Sequence, residues 1–262
     1  MIANKTLARM GLGPVWRLRG ADAAEATPEV MQNVRSEVAE VANTEPKRVE
    51  APRIEFDVQP APLQVPPMPP DEGVQAPAWS WDELAETVRD CRKCRLCERR
   101  KQAVLGVGDR EADWMFVGEG PGAEEDERGE PFVGQAGRLL DAMLAALGLK
   151  RGNNVYIANT VKCRPPNNRT PEAEEMAACF PYLLRQIALV QPKLIVALGR
   201  PAAQALLDQE VRIGAARGRL FRFGELPVVV TYHPAYLLRN PADKSKAWED
   251  LCFARRTIRQ QS

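Results

Sequence analysis

The sequence predicts an α/β fold, a three-layer sandwich with a central four-stranded parallel sheet between helices. Two observations lead there. Four short apolar runs, Trp114–Val117, Val155–Ala158, Leu194–Leu198 and Val228–Tyr232, have the length of buried strands. Helical spacing separates them: Leu139, Leu140, Met143, Leu144 and Leu147 form one set, and Met176, Tyr182, Leu183 and Ile187 another. Strands that alternate with helices give a parallel sheet covered on both faces.

Each segment has its own reason. Residues 1–20 are basic, with Lys5, Arg9, Arg17 and Arg19 and no acid, and they hold an island of apolar residues at 5–19. Residues 21–76 are acidic, then proline-rich at Pro60, Pro62, Pro66, Pro67, Pro69 and Pro70. Such a stretch buries too little apolar area to offset its ordering entropy, so a disordered tether is expected. The folded unit is expected over 77–262. Ser80 followed by Glu83 forms a capping-box pattern that starts a helix at Trp81 and leads into Cys91. The formal net charge is +1, and it is segregated, with a basic cluster at Arg92, Lys93, Arg95, Arg99, Arg100 and Lys101. Segregation of this kind fits nucleic-acid contact by part of the chain. No apolar run is long enough to span a bilayer, and the N-terminus lacks the apolar region of a secretory signal. The expectation is a cytoplasmic protein without a membrane partner.

The polar groups of interest fall at the carboxyl ends of the expected strands, the edge at which open α/β sheets bind ligands. Gly118-Glu119-Gly120-Pro121-Gly122 follows the first, Asn159 the second, Gly199 and Arg200 the third, and His233, the single histidine, the fourth. Glycines let the backbone approach a ligand closely. The loop is not a Walker loop, because no Gly-Lys-Ser/Thr follows. It is a poor dinucleotide fingerprint too, since Pro121 interrupts it and Glu124-Glu125-Asp126 would repel a pyrophosphate. Those acids suit the first turn of a helix, and one could face the pocket. Phe132 suits a core or a platform on which a base stacks. An asparagine amide at position 159 can read a donor–acceptor edge such as that of a pyrimidine. His233 opens into Pro234-Ala235-Tyr236-Leu237-Leu238-Arg239, where an apolar pair beside an arginine suits insertion into a DNA groove with the arginine on phosphate.

Cys91 and Cys94 form a C-x-x-C pair, and Cys163 and Cys179 follow in the same domain. Four thiols in this arrangement satisfy either tetrahedral zinc or a cubane cluster, and their spacing does not choose between them. Cys97 extends the motif to C-x-x-C-x-x-C.

The segments CRKC, VGEGPGAEEDERGEPFVGQAG, ANTVKCRPPNNRTP and YHPAYLLRNP, within residues ~80–258, closely resemble the family 4 uracil-DNA glycosylases, the iron–sulfur branch of their superfamily. The resemblance implies a [4Fe–4S] cluster held by Cys91, Cys94, Cys163 and Cys179, with Cys97 outside the ligand set. It implies that Gly118, Glu119 and Gly120 line a uracil pocket and that Phe132 stacks on the base. Asn159 would bond the uracil edge, Glu125 would crowd C5 against thymine, and His233 would bond O2 of the departing base. Tyr236, Leu237, Leu238 and Arg239 would meet the DNA. The implied substrate is uracil-containing DNA in base excision repair. Gly120 stands where other branches carry a carboxylate, so no residue is assigned to activate water.

Residues 7–19, LARMGLGPVWRLR, resemble the amino-terminal peptide of psi, the bacterial DNA polymerase III accessory subunit, which docks on the clamp loader. This gives the tether a purpose, and through such a linker effective concentrations could reach roughly millimolar. The rival reading is a replisome accessory subunit whose glycosylase domain is mainly a scaffold. The complete pocket motifs favour the enzyme, since a scaffold does not need them.

Overall fold

A computed structural model describes residues 78–260 of the 262-residue chain. The peptide and tether expected over 1–76 lie outside the described residues. Helix α1 (Trp81–Arg89) begins as its sequence dictates: Ser80 Oγ accepts from the Glu83 N–H at 3.3 Å, and the Glu83 carboxylate accepts from the Ser80 N–H at 2.7 Å. These bonds satisfy N–H groups that a helix start otherwise leaves without partners.

The four expected strands are present and parallel: β2 (Trp114–Gly118), β3 (Val155–Asn159), β4 (Leu194–Leu198) and β6 (Leu226–Thr231). Among the described residues the sheet has six strands, however, with β1 (Val107–Gly108) and β5 (Leu220–Phe223) at its edges, in the order β1-β3-β2-β4-β6-β5. The additional strands are antiparallel, β1 on β3 and β5 on β6. A search for continuous apolar runs misses both. β1 has two half-buried residues, and β5 alternates exposed with half-buried ones because one of its faces meets solvent. A two-residue turn, Gly224-Glu225, joins β5 to β6, with Gly224 at φ +56° as such turns demand. The last parallel strand also begins at Leu226 and ends at Thr231, which leaves Tyr232 beyond the sheet.

Strand alternation sorts the core into two layers. Trp114, Phe116, Val155, Ile157, Val196 and Val229 face one side, under α3 (Gln135–Leu147), α7 (Pro234–Arg239) and α8 (Lys244–Arg259). Met115, Val117, Tyr156, Ala158, Ile195 and Val230 face the other, under α4 (Ala173–Val190), α5 (Arg200–Leu207) and α6 (Ile213–Ala216). The short helix α2 (Ala123–Arg128) caps the end of β2. A third apolar cluster joins Leu84 and Val88 of α1 to Leu96, Val161, Cys163, Cys179 and Tyr182. No described helix is long and apolar enough to cross a membrane.

One buried ion pair fastens α8 to the end of β6. Arg217 Nε donates to Asp250 Oδ2 at 2.9 Å, and Thr231 Oγ1 donates to the same oxygen at 2.8 Å. Arg217 also lies 5.6 Å over the Tyr232 ring. Burial raises the Asp250 carboxyl above its ordinary range despite the arginine, so the intact pair gains little over an apolar one. Removing one partner is a different matter, because it strands the other charge. Asp250→Ala is expected to lower unfolding stability by roughly 3 kcal/mol or more, measured by denaturant titration.

Candidate functional site

Gly118 ends β2 and is registered against Asn159, which ends β3. A Cβ on Gly118 would stand 2.5 Å from Asn159 Oδ1 and 2.5 Å from Phe132 Cζ. The glycine is therefore required by close approach, with φ playing no part. Beyond the strand ends the pairing continues: Thr160 N–H donates to Gly118 O at 2.9 Å, and Val161 N–H to Glu119 O at 3.2 Å. The acidic run occupies the first turn of α2, as expected. Within it, Glu125 joins two loops. Its Oε2 accepts from Gly122 N–H at 3.1 Å, and its Oε1 accepts from Val133 N–H at 2.9 Å and Gly134 N–H at 3.1 Å. This fixes the Gly118–Gly122 loop against the loop that presents Phe132.

Phe132 is 5% exposed and holds φ at +56°, a left-handed conformation that costs a bulky residue on the order of 1–3 kcal/mol. Its ring centre lies 5.5 Å from that of His233. His233 is the N-cap of α7. Its Nδ1 accepts from the Ala235 N–H at 3.1 Å, so the neutral ring carries its proton on Nε2. The residue is half-buried, yet its pKa falls from 6.5 to about 4. Loss of solvation is the main cause, Arg239 adds to it, and Glu125 opposes it.

These groups surround a cavity of about 690 Å³ lined by Glu119, Gly120, Glu125, Phe132, Asn159 and His233. Such a volume accommodates a nucleotide-sized ligand. Asn159 is 2% exposed, and its Oδ1 is buried without any hydrogen-bond partner. Its main chain is fixed from behind, where Lys162 Nζ donates to Asn159 O at 2.7 Å and also to Gln186 Oε1. Loss of solvation raises the Glu119 carboxyl, while a hydrogen bond with Thr170 and the charge of Arg200 pull the other way. Thr170 and Ile213 join the lining as well. Thr170 lies within the segment ANTVKCRPPNNRTP but is not among its expected site residues, and Ile213 has no signal in the sequence, because it arrives on a helix that only the tertiary fold brings to this edge.

The segment after His233 departs from its expected role. It is helix α7, and Leu237 is 1% exposed, packed in the core. Insertion of a Leu237–Leu238 pair into DNA is thereby corrected: Leu237 faces the wrong way, and only Leu238, 39% exposed, and Arg239 remain on the surface. Tyr236 stacks on Tyr232 with ring centres 5.0 Å apart, and its hydroxyl donates to Asp243 at 2.7 Å.

Cys91, Cys94, Cys97, Cys163 and Cys179 border a second, smaller space. Three segments meet there: the end of α1, the loop after β3, and α4. Arg100 Nη1 donates to Cys163 Sγ at 2.9 Å, and Lys162 N–H donates to Cys179 Sγ at 3.2 Å. Burial pushes the Cys163 thiol to about 11 and that of Cys179 to about 12. The Tyr182 hydroxyl borders the same space, buried and facing Cys91. Soft sulfur donors with N–H groups aimed at them suit a thiolate-ligated metal centre. Among the described residues, no three His, Cys, Asp or Glu side chains converge on the position of one metal ion. A polynuclear cluster takes its ligands at separate corners and does not need that convergence. All six cysteines are unpaired.

Because His233 is the single histidine, its titration is directly observable. Its imidazole NMR signals are expected to inflect near pH 4, with no inflection near 6.5. The unfolded chain protonates this ring near 6.5 and the fold near 4. Its contribution to stability is therefore complete above pH 6.5 and is lost as the pH falls toward 4.

A model of the uracil DNA glycosylase superfamily matches residues 105–252. The chain is 45% identical over 179 residues to a type-4 uracil-DNA glycosylase of Pyrobaculum aerophilum, covering 65% of this chain and 91% of that one. It is 44% identical over 182 residues to the type-4 enzyme of Thermotoga maritima, covering 68% and 94%. A type-5 uracil-DNA glycosylase of Pyrobaculum aerophilum is 31% identical over 203 residues, covering 64% and 88%. Four parallel strands ending in one pocket, the Gly118–Gly122 loop and these similarities agree, and the chain belongs to the uracil-DNA glycosylase superfamily, in its type-4 branch.

Proposed function

We propose that this protein excises uracil from DNA by hydrolysing the bond between base and sugar, as the opening step of base excision repair. The observation that carries this reading is the buried, unpartnered Asn159 Oδ1 at the floor of a nucleotide-sized cavity. An unsatisfied acceptor in such a place costs about 1–3 kcal/mol, a cost that a ligand N–H removes. Uracil N3–H is such a donor, and the same amide can donate to O4. Cytosine presents the opposite pattern at these two atoms.

The base must leave the stack to reach this cavity, and uracil in single strands or opposite guanine is cheapest to extrude. Phe132 offers its ring face to the extruded base. Glu125, fixed by three backbone N–H groups, is a rigid wall suited to excluding a methyl at C5. As the bond breaks, negative charge gathers on the base, and the His233 Nε2–H is available to donate to O2. A neutral donor already in place contributes about 3 kcal/mol to such a step. Leu238 and Arg239 beside the cavity suit contact with the flanking DNA, and Arg200 suits a phosphate.

We assign Cys91, Cys94, Cys163 and Cys179 to a [4Fe–4S] cluster, which when bound ties three chain segments together and serves structure. The six unpaired cysteines fit a reducing compartment, hence the cytoplasm. Residues 5–19 remain a proposed clamp-loader peptide, supported by their resemblance to the amino-terminal peptide of psi alone. The scaffold alternative gains nothing from the pocket, whose unsatisfied acceptor is a cost without a ligand.

Purified protein incubated with a uracil-containing oligonucleotide is expected to yield alkali-labile sites. Asn159→Ala and His233→Ala should each slow excision by roughly 100-fold or more, and full activity in either variant refutes the assignment. Between pH 5 and 8 the wild-type rate should show no step at 6.5, because His233 stays neutral throughout. Anaerobically purified protein is expected to be brown and to contain iron. Cys163→Ser should lose the iron and Cys97→Ser should keep it, whereas stoichiometric zinc without iron would defeat the cluster assignment.

A further inference from the structure

Phe132 cannot hold its left-handed backbone unaided. Gly137 makes room for it from below: a Cβ there would fall 1.7 Å from Phe132 O. Glu125 holds the two residues that follow. The remaining support comes from Arg151, in the turn between α3 and β3. Its Nη1 donates to Pro131 O at 2.8 Å and its Nη2 to Phe132 O at 2.7 Å. Its Nε donates to Asp141 Oδ1 at 3.1 Å, and Glu130 stands 3.5 Å from Nη1. The side chain is 19% exposed and does not line the cavity. This is a guanidinium fork on two successive carbonyls, oriented by a carboxylate behind it.

We infer that Arg151 is a positioning residue that holds the Phe132 ring in the cavity wall, and that it acts on uracil excision only through that ring. The effect on excision rests on the uracil reading; the geometric claim does not. Without the fork, the carbonyls of Pro131 and Phe132 lose their donors, and Phe132 is free to relax toward the extended region that its side chain prefers. The ring then leaves its place beside His233. A lysine keeps the positive charge for Asp141 and Glu130 but cannot bond both carbonyls in the same planar geometry. Charge alone and fork geometry therefore make different predictions.

The test is a double-mutant cycle on the full-length protein with two readouts. The first is the imidazole spectrum of His233, which senses the ring current of Phe132 5.5 Å away and needs no substrate. Arg151→Ala and Arg151→Lys should both shift these signals, and neither should shift them further in a Phe132→Ala background. The second is single-turnover excision. Arg151→Ala and Arg151→Lys should each lower the saturating single-turnover rate constant by roughly 10- to 100-fold with little change in the protein concentration that half-saturates the DNA. In the Phe132→Ala background the added loss should be within about twofold. His233 signals that stay in place, restoration by lysine, or losses that add fully to that of Phe132→Ala would each overturn the inference. If the spectral cycle holds while no variant, wild type included, excises uracil, the positioning role stands and the uracil reading fails.

Discussion

The site depends on one close approach. Because Gly118 has no side chain, the Asn159 amide and the Phe132 ring can both reach the space above the ends of β2 and β3. A Cβ there would push into both at once, and neither has room to retreat. Asn159 is held through its carbonyl by Lys162, Phe132 through its carbonyl by Arg151, and the two residues after Phe132 through their N–H groups by Glu125. The pocket is thus built by removing atoms at one position and fixing the neighbours from outside. That arrangement gives the preorganisation that electrostatic catalysis requires.

Dryness is the second theme. Loss of solvation drives the His233 pKa down and the Glu119 pKa up. Both shifts favour neutral groups in the cavity, which suits a reaction that generates an anion on the departing base. An imidazolium would bind that anion more strongly, but the pocket would first have to stabilise a charge it is built to exclude. The neutral ring carries its proton on Nε2, because Nδ1 accepts the bond from Ala235 N–H.

The cysteine region and the pocket share one segment. Lys162 sends its N–H to Cys179 and its ammonium to Asn159 O, and Cys163 follows directly. A structural change at the sulfurs therefore has a short mechanical route to Asn159. The hydrogen bond from Arg100 to Cys163 ties the segment after Cys97 to the same loop. The pocket at the sheet edge and the cysteine region are thus neighbours joined by main-chain and side-chain hydrogen bonds.

Much was legible in the sequence because it is local. The capping box at Ser80 and Glu83, the four apolar strands, and the placement of Gly118, Asn159 and His233 at strand ends all follow from short-range spacing. Short-range spacing could not reveal β1 and β5, since edge strands with one wet face lack a continuous apolar run. It also misplaced Leu237, whose direction is set by the helix phase of α7 against the core. Arg151 lay nineteen residues from Phe132 with no motif to join them. The sequence by itself determined which groups stand at the sheet edge, because strand length and periodicity are chain-local. Only the tertiary structure decided which of them are dry, unpartnered and clamped, because burial and hydrogen-bond satisfaction depend on segments that meet from distant parts of the chain.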